Sequence, residues 1–160
     1  MKPGEERGGA LVMTVLLLPV LLLSLALVVD AGLVLLARQR AQGAADMAAL
    51  AACQELDLES LARGELVLDE SRARAAASDY AISNLAASFP GMDLPREAVV
   101  VVQVHNPTPQ APERDRVTGR KIVHPTVCVV IEVRVPLRLM RVSGGGIWVR
   151  VHADASVAIP

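Results

Sequence analysis

The chain has 160 residues, a formal net charge of −1, and 52% hydrophobic but only 2% aromatic residues. That length accommodates a membrane helix plus one domain of about 100 residues. The near-neutral charge and the lone Phe89, Tyr80 and Trp148 exclude the basic, aromatic-lined surface on which nucleic acids stack.

Residues 9–29 read GALVMTVLLLPVLLLSLALVV, with no Lys, Arg, Asp or Glu. As a helix this run spans roughly 30 Å, the thickness of a bilayer's hydrocarbon core. A secretory signal has an apolar region of only about 7–15 residues followed by a small-residue cleavage site. This run is longer and passes into further helix-forming sequence, which favours a retained anchor. Lys2 and Arg7 on one side nearly balance Arg38 and Arg40 on the other, so basic charge barely orients the span. Pro19 removes a helix hydrogen bond and is expected to bend or loosen the helix, which membranes tolerate. Asp30 follows directly. A carboxylate is costly in hydrocarbon, so Asp30 either makes an inter-subunit contact in the membrane or marks the outer boundary of the span.

Beyond Arg38 the helix continues with Ala37, Ala41, Ala44, Ala45, Ala48 and Ala52 at three- and four-residue spacing. A second line runs through Gly43, Met47 and Leu50. Side chains this small allow close backbone approach. Ala41, Ala45 and Ala48 are therefore candidates for contact with another single-pass subunit, the alternative being packing against the chain's own domain. The helix is expected to stop near Leu56, before Asp57–Glu59 and Gly64. The chain thus divides into a short leader or cytoplasmic tail (1–8), a membrane helix with an extramembrane extension (9–56) and an extracytoplasmic domain (57–160).

A second helix is predicted from about Glu70 to Ala87, capped by Asp69, with Ser78, Ile82, Leu85 and Phe89 along one side and Pro90-Gly91 ending it. Three strands follow: Ala98–His105, Val127–Val135 and Ile147–Ala158. The second alternates Val127, Val129, Ile131, Val133 and Val135 against Cys128, Val130, Glu132 and Arg134. The third alternates similarly, as expected of an antiparallel sheet with one solvated face. The connection Asn106–Thr126 is long, and such loops are usually functional or mobile. Leu137–Gly146 ends in a glycine triplet without a phosphate-loop signature. The fold class is α+β: a long N-terminal transmembrane helix, a second helix and a three-stranded antiparallel sheet.

Cys53 and Cys128 could form a disulfide if the domain faces outward, or could be two unpaired apolar residues. The face shared with Glu132 and Arg134 argues against Cys128 meeting a helix across a core. His105, His124, His152, Cys128 and Asp154 are the conceivable catalytic or metal set, and His105 and His124 flank the same connection. No spacing matches a recognised metal or nucleophile signature. The expectation is a non-enzymatic protein with no cofactor and no metal.

The first 56 residues resemble the TadE/TadG-like proteins of the tight-adherence (Flp) pilus machinery. The resemblance lies in Glu6-Arg7-Gly8 before the apolar run, Pro19 within it, and Val28-Val29-Asp30-Ala31-Gly32 at its end. It continues through Ala37-Arg38-Gln39-Arg40 and Ala44-Ala45-Asp46-Met47-Ala48-Ala49-Leu50-Ala51-Ala52. It implies a minor pseudopilin-like subunit of a Tad/Flp-type pilus or related secretion apparatus, assembling through its hydrophobic helix. Its expected place is the bacterial cytoplasmic membrane, with the C-terminal domain outside. The implied partners are lipid, other pilin or pseudopilin subunits and the assembly machinery. Processing by prepilin peptidase after Gly8 would make Gly9 the first residue and put Met13 where cleaved members carry Glu at the fifth mature position. The alternative is an uncleaved, membrane-anchored accessory or binding domain that does not enter a filament.

Overall fold

Helix α1 runs without interruption over 48 residues, Glu5–Ala52, and carries Pro19 inside it. The expected loosening at Pro19 does not break the helix. We describe the chain from a computed structural model that covers residues 5–108, 111–139 and 146–157; the glycine triplet expected to turn the chain before β5 lies outside these residues, apart from Gly146. At about 1.5 Å per residue, α1 is roughly 70 Å long, more than twice a hydrocarbon thickness. Its two halves have different surroundings. Almost every large side chain from Leu11 to Val29 is exposed, whereas Asp30 and Ala37, Ala41, Ala44, Ala45, Ala48, Ala49 and Ala52 are buried.

α1 ends at Ala52, four residues before the expected stop. The chain then reverses: Leu56 bridges Leu68 in antiparallel fashion, and the amides of Asp57 and Asp69 donate to Val67 and Glu55 carbonyls. Between these points lies α2 (Leu58–Ala62), capped by Asp57. α3 spans Glu70–Ser88, with the Asp69 carboxylate accepting from the Ser71 and Arg72 amides. That is the expected cap, which satisfies amides that have no partner within the helix. The buried face of α3 differs from the expected line. It is Ala73, Ala77, Ala81 and Leu85, while Ile82 is exposed. An i, i+4 row of alanines fits because the facing row on α1 is also alanine, and two small-residue rows pack at close backbone distance. Phe89 caps the helix, and Gly91, in the turn that follows, has φ of +86°, a conformation glycine adopts without strain.

A short α4 (Leu94–Glu97) leads into β1 (Ala98–His105). The connection after β1 forms a small hairpin, β2 (Glu113–Arg114) with β3 (Lys121–Ile122), absent from the sequence expectation. β4 (Thr126–Pro136) and β5 (Gly146–Ser156) complete the main sheet in the order β1-β4-β5, all antiparallel. Gly146 sits opposite Pro136, and a Cβ there would come within 2.6 Å of the Val135 carbonyl, so the position takes no side chain. α1 and α3 cover one face of the sheet, and the core lies between Val127, Val129, Ile131 and Val133 on β4 and the helical alanines.

The other face of β4 is not simply solvated. Cys128 and Val130 are as buried as their inward neighbours, because the connection between β1 and β4 folds over them, with Asp115 and Ile122 buried beneath it. Only the half towards Glu132 and Arg134 keeps the expected half-open character.

Candidate functional site

Asp30 sits where α1 passes from exposed to enclosed, and it is 2% exposed. Its Oδ1 accepts the Arg138 amide at 3.0 Å and the Leu139 amide at 3.2 Å, and Oδ2 lies 3.2 Å from the same Leu139 nitrogen. A buried carboxylate is tolerable only when hydrogen-bonded, and here the segment just after β4 supplies the donors. The carboxylate therefore joins the end of the membrane run to the C-terminal end of β4. A further groove beside this junction is lined by Leu33, Leu36, Arg40, Phe89, Met92 and Arg138, and Arg40 donates to the Ser88 carbonyl at 3.2 Å across it.

The other expected assembly residues lie inside the fold. Ala41, Ala45 and Ala48 are fully buried, packed within the core shared with α3 and the sheet. Gly43, Met47 and Leu50 lie on the opposite side of α1 and are exposed. Gly8 lies in the first turns of α1.

The two cysteines are free thiols, so the disulfide considered from sequence is not formed. The geometry explains this. Cys53 packs against the helix-covered core and donates from Sγ to the Ala155 carbonyl at 3.0 Å. Cys128 alternates out of that core towards the β2–β3 hairpin. Burial pushes the Cys53 thiol up, partly offset by a hydrogen bond from the Val127 backbone. Burial, with the Asp115 and Asp154 carboxylates nearby, pushes Cys128 to about 12.

Of the histidines singled out from sequence, His124 is exposed, whereas His105 is buried. His105 instead joins Asp115 and Cys128: one ring nitrogen, one carboxylate oxygen and the Cys128 Sγ all lie within 4.8 Å of one another, and all three residues are buried. Strand register explains the pairing. Gln103 is directly opposite Cys128 and His105 opposite Thr126, which makes His105 a diagonal neighbour of Cys128. On the other side Asp154 is opposite Cys128 and His152 opposite Val130, so His152 is a second diagonal neighbour. Asp115 comes from the covering hairpin. Its carboxylate accepts the Val117 amide at 3.0 Å, the Thr118 amide at 2.9 Å and the Thr118 hydroxyl. Burial works against its charge, but these hydrogen bonds and the nearby His152 outweigh it and hold the Asp115 carboxyl below the ordinary range. Asp154 is engaged elsewhere, paired with Arg120 at 3.1 Å.

With this arrangement in view, residues 8–55 match the family Tad, described as "Putative Flp pilus-assembly TadE/G-like". This stretch is TadE/G-like. The match runs from the start of the membrane run to the turn after α1, and it takes in Asp30 and the whole alanine row. No curated protein and no solved structure matches the chain. The TadE/G-like segment and its apolar helix mark a membrane-anchored protein, with one helix long and apolar enough to cross a bilayer among the described residues.

Sequence reasoning identified the residues of the TadE/G-like helix but not what Asp30 binds. The Arg138 and Leu139 groups that it accepts from are backbone amides, which carry no residue signature. Asp115 was not singled out at all. The one available cue was Asp-x-x-Thr-Gly at 115–119, a turn-forming pattern in which the aspartate is held inward by its own turn.

Proposed function

We propose that this protein is a minor pseudopilin-like subunit of a Tad/Flp-type pilus or related secretion apparatus. The TadE/G-like match supports a role related to pilus assembly. The observation that carries the finer reading is the division of α1. From Leu11 to Val29 its large apolar side chains are exposed, while the following half is built into the core. In a bilayer, lipid covers the exposed half. On assembly, helices of other pilin-type subunits replace lipid there, and close packing between apolar helices supplies the association energy. The domain, held outside the cytoplasmic membrane, caps or primes the filament. The buried alanines Ala41, Ala45 and Ala48 then act within the subunit, keeping α1 against α3, and inter-subunit contact falls on residues 11–29.

In-cell photo-crosslinking from single positions across 12–29 tests this. Adducts to pilin subunits recurring with helical period support it. Adducts confined to lipid, or none with period, favour the uncleaved accessory domain that stays out of the filament. N-terminal sequencing of the membrane-extracted protein separately tests processing after Gly8: a chain beginning at Gly9 is the processed form.

A further inference from the structure

The outer face of the sheet holds a group of buried electron-pair donors that make no hydrogen bond among the described residues. Gln103 Oε1, His105 Nε2 and His152 Nε2 are all enclosed and lack a hydrogen bond. Each sits opposite or diagonal to Cys128 across the strand register. His105 is 7% exposed, and unsatisfied groups this deep are rare because each costs the desolvation of a polar atom. His105 Nδ1 is already held, 2.6 Å from Glu113 Oε2. A histidine whose one nitrogen is fixed by a carboxylate while the other is bare has the arrangement of a metal ligand with its outer-shell support.

We propose that His105, Asp115, Cys128 and His152 form a zinc site that pins the β2–β3 hairpin to the sheet. Three of the four donors already cluster within 4.8 Å, and His152 Nε2 stands 3.5 Å from Asp115 Oδ2. Bond lengths of about 2.0–2.3 Å place neighbouring ligands of a tetrahedral zinc roughly 3.3–3.8 Å apart. The Asp115–His152 pair is at that spacing, and the His105, Asp115 and Cys128 donors, now within 4.8 Å of one another, need to close by about 1 Å while His152 turns in towards them. A thiolate with two imidazoles and one carboxylate is a donor set suited to this borderline-soft cation. The Thr118 hydroxyl and amide hold Asp115 Oδ2 and the Val117 amide holds Oδ1, which orients the carboxylate and leaves an acceptor site on Oδ1 for the metal. On binding, the Cys128 proton passes to solvent and the thiolate bonds to the metal. The site lies on the sheet away from the Asp30 junction and does not depend on the assembly role.

Cobalt(II), which substitutes for zinc and is coloured, provides the test. The full chain, purified in detergent and stripped with chelator, should take up one equivalent of cobalt with a thiolate-to-cobalt charge-transfer band, and zinc should displace it. Cys128→Ser should lose the band and Cys53→Ser keep it. Glu113→Gln, which leaves every proposed ligand in place, should weaken binding about 10–100-fold. A wild-type chain that takes up no stoichiometric cobalt overturns the proposal. So does a band that survives Cys128→Ser or disappears in Cys53→Ser.

Discussion

Asp30 and Arg138 stand 108 residues apart in the chain and are joined by a hydrogen bond of 3.0 Å from the Arg138 amide to Oδ1. The bond links the membrane helix to the turn leaving the central strand. With Leu139 donating to the same carboxylate, a residue that resembles a lipid-boundary marker in sequence becomes a structural tie.

Replacing Asp30 with alanine is expected to leave the Arg138 and Leu139 amides without this acceptor, at about 1–3 kcal/mol for each amide that stays buried. The loss should appear as a lower unfolding midpoint of the full chain in detergent. Hydrogen exchange should quicken first at residues 138 and 139. Unchanged exchange there would show that the tie does not hold in solution.

The two alanine rows make a second prediction. Ala45→Leu adds a branched side chain to the fully buried core that α1 shares with α3 and the sheet and should cost roughly 1–3 kcal/mol. Met47→Ala, on the exposed side of the same helix, should stay within about 0.5 kcal/mol of wild type. Chemical unfolding of the two variants compares them directly, and equal midpoints would contradict the packing described.

Asp69 gives a pH prediction. The Arg72 amide, the Ser71 hydroxyl and the Ser71 amide hold its carboxyl below the ordinary 3.8. A carboxyl with a lower value in the folded state stabilises the fold above its unfolded value, and that contribution fades as pH falls through the folded value. Asp69→Asn keeps an acceptor at the cap but not the charge. Wild type should be the more stable at neutral pH, with the difference shrinking below about pH 4. Denaturant midpoints across a pH series would reveal a constant difference if the charge were irrelevant.

Thiol counting tests the cysteine assignment. The chain isolated without reductant and unfolded in guanidinium should yield both Cys53 and Cys128 as free thiols. In the folded state Cys128 should react far more slowly with an alkylating reagent than in the unfolded chain, because it is 1% exposed and the thiolate is the reactive form. Thiols that appear in the unfolded chain only after a reductant is added would reinstate the disulfide.

The sequence was most legible where structure is local. Asp69 caps α3 as its residue type requires, and β1 begins and ends at Ala98 and His105 as the valine run indicates. The alanine row on α1 was visible, but a row of small residues fits another subunit or another helix equally well. Only the matching Ala73, Ala77 and Ala81 on α3 decide what covers it in this chain. The Asp30 tie and the His105–Asp115–Cys128 cluster were not readable. The first uses backbone donors, and the second depends on strand register together with a connection that folds back over β4. That same fold-back buries Cys128 and Val130, which simple alternation assigned to a solvated face.

The absence of any loop between anchor and domain has a geometric consequence. Each residue of an α-helix turns by about 100° around its axis, so the face that the sheet presents along the membrane is fixed by helical phase. One residue inserted between Ser24 and Val29 would swing the whole domain about 100° around the anchor and advance it by about 1.5 Å. In the proposed assembly, two subunits matched through their exposed apolar helices therefore have the rotation of their domains set as well, and the domain is aimed by counting residues along the apolar run.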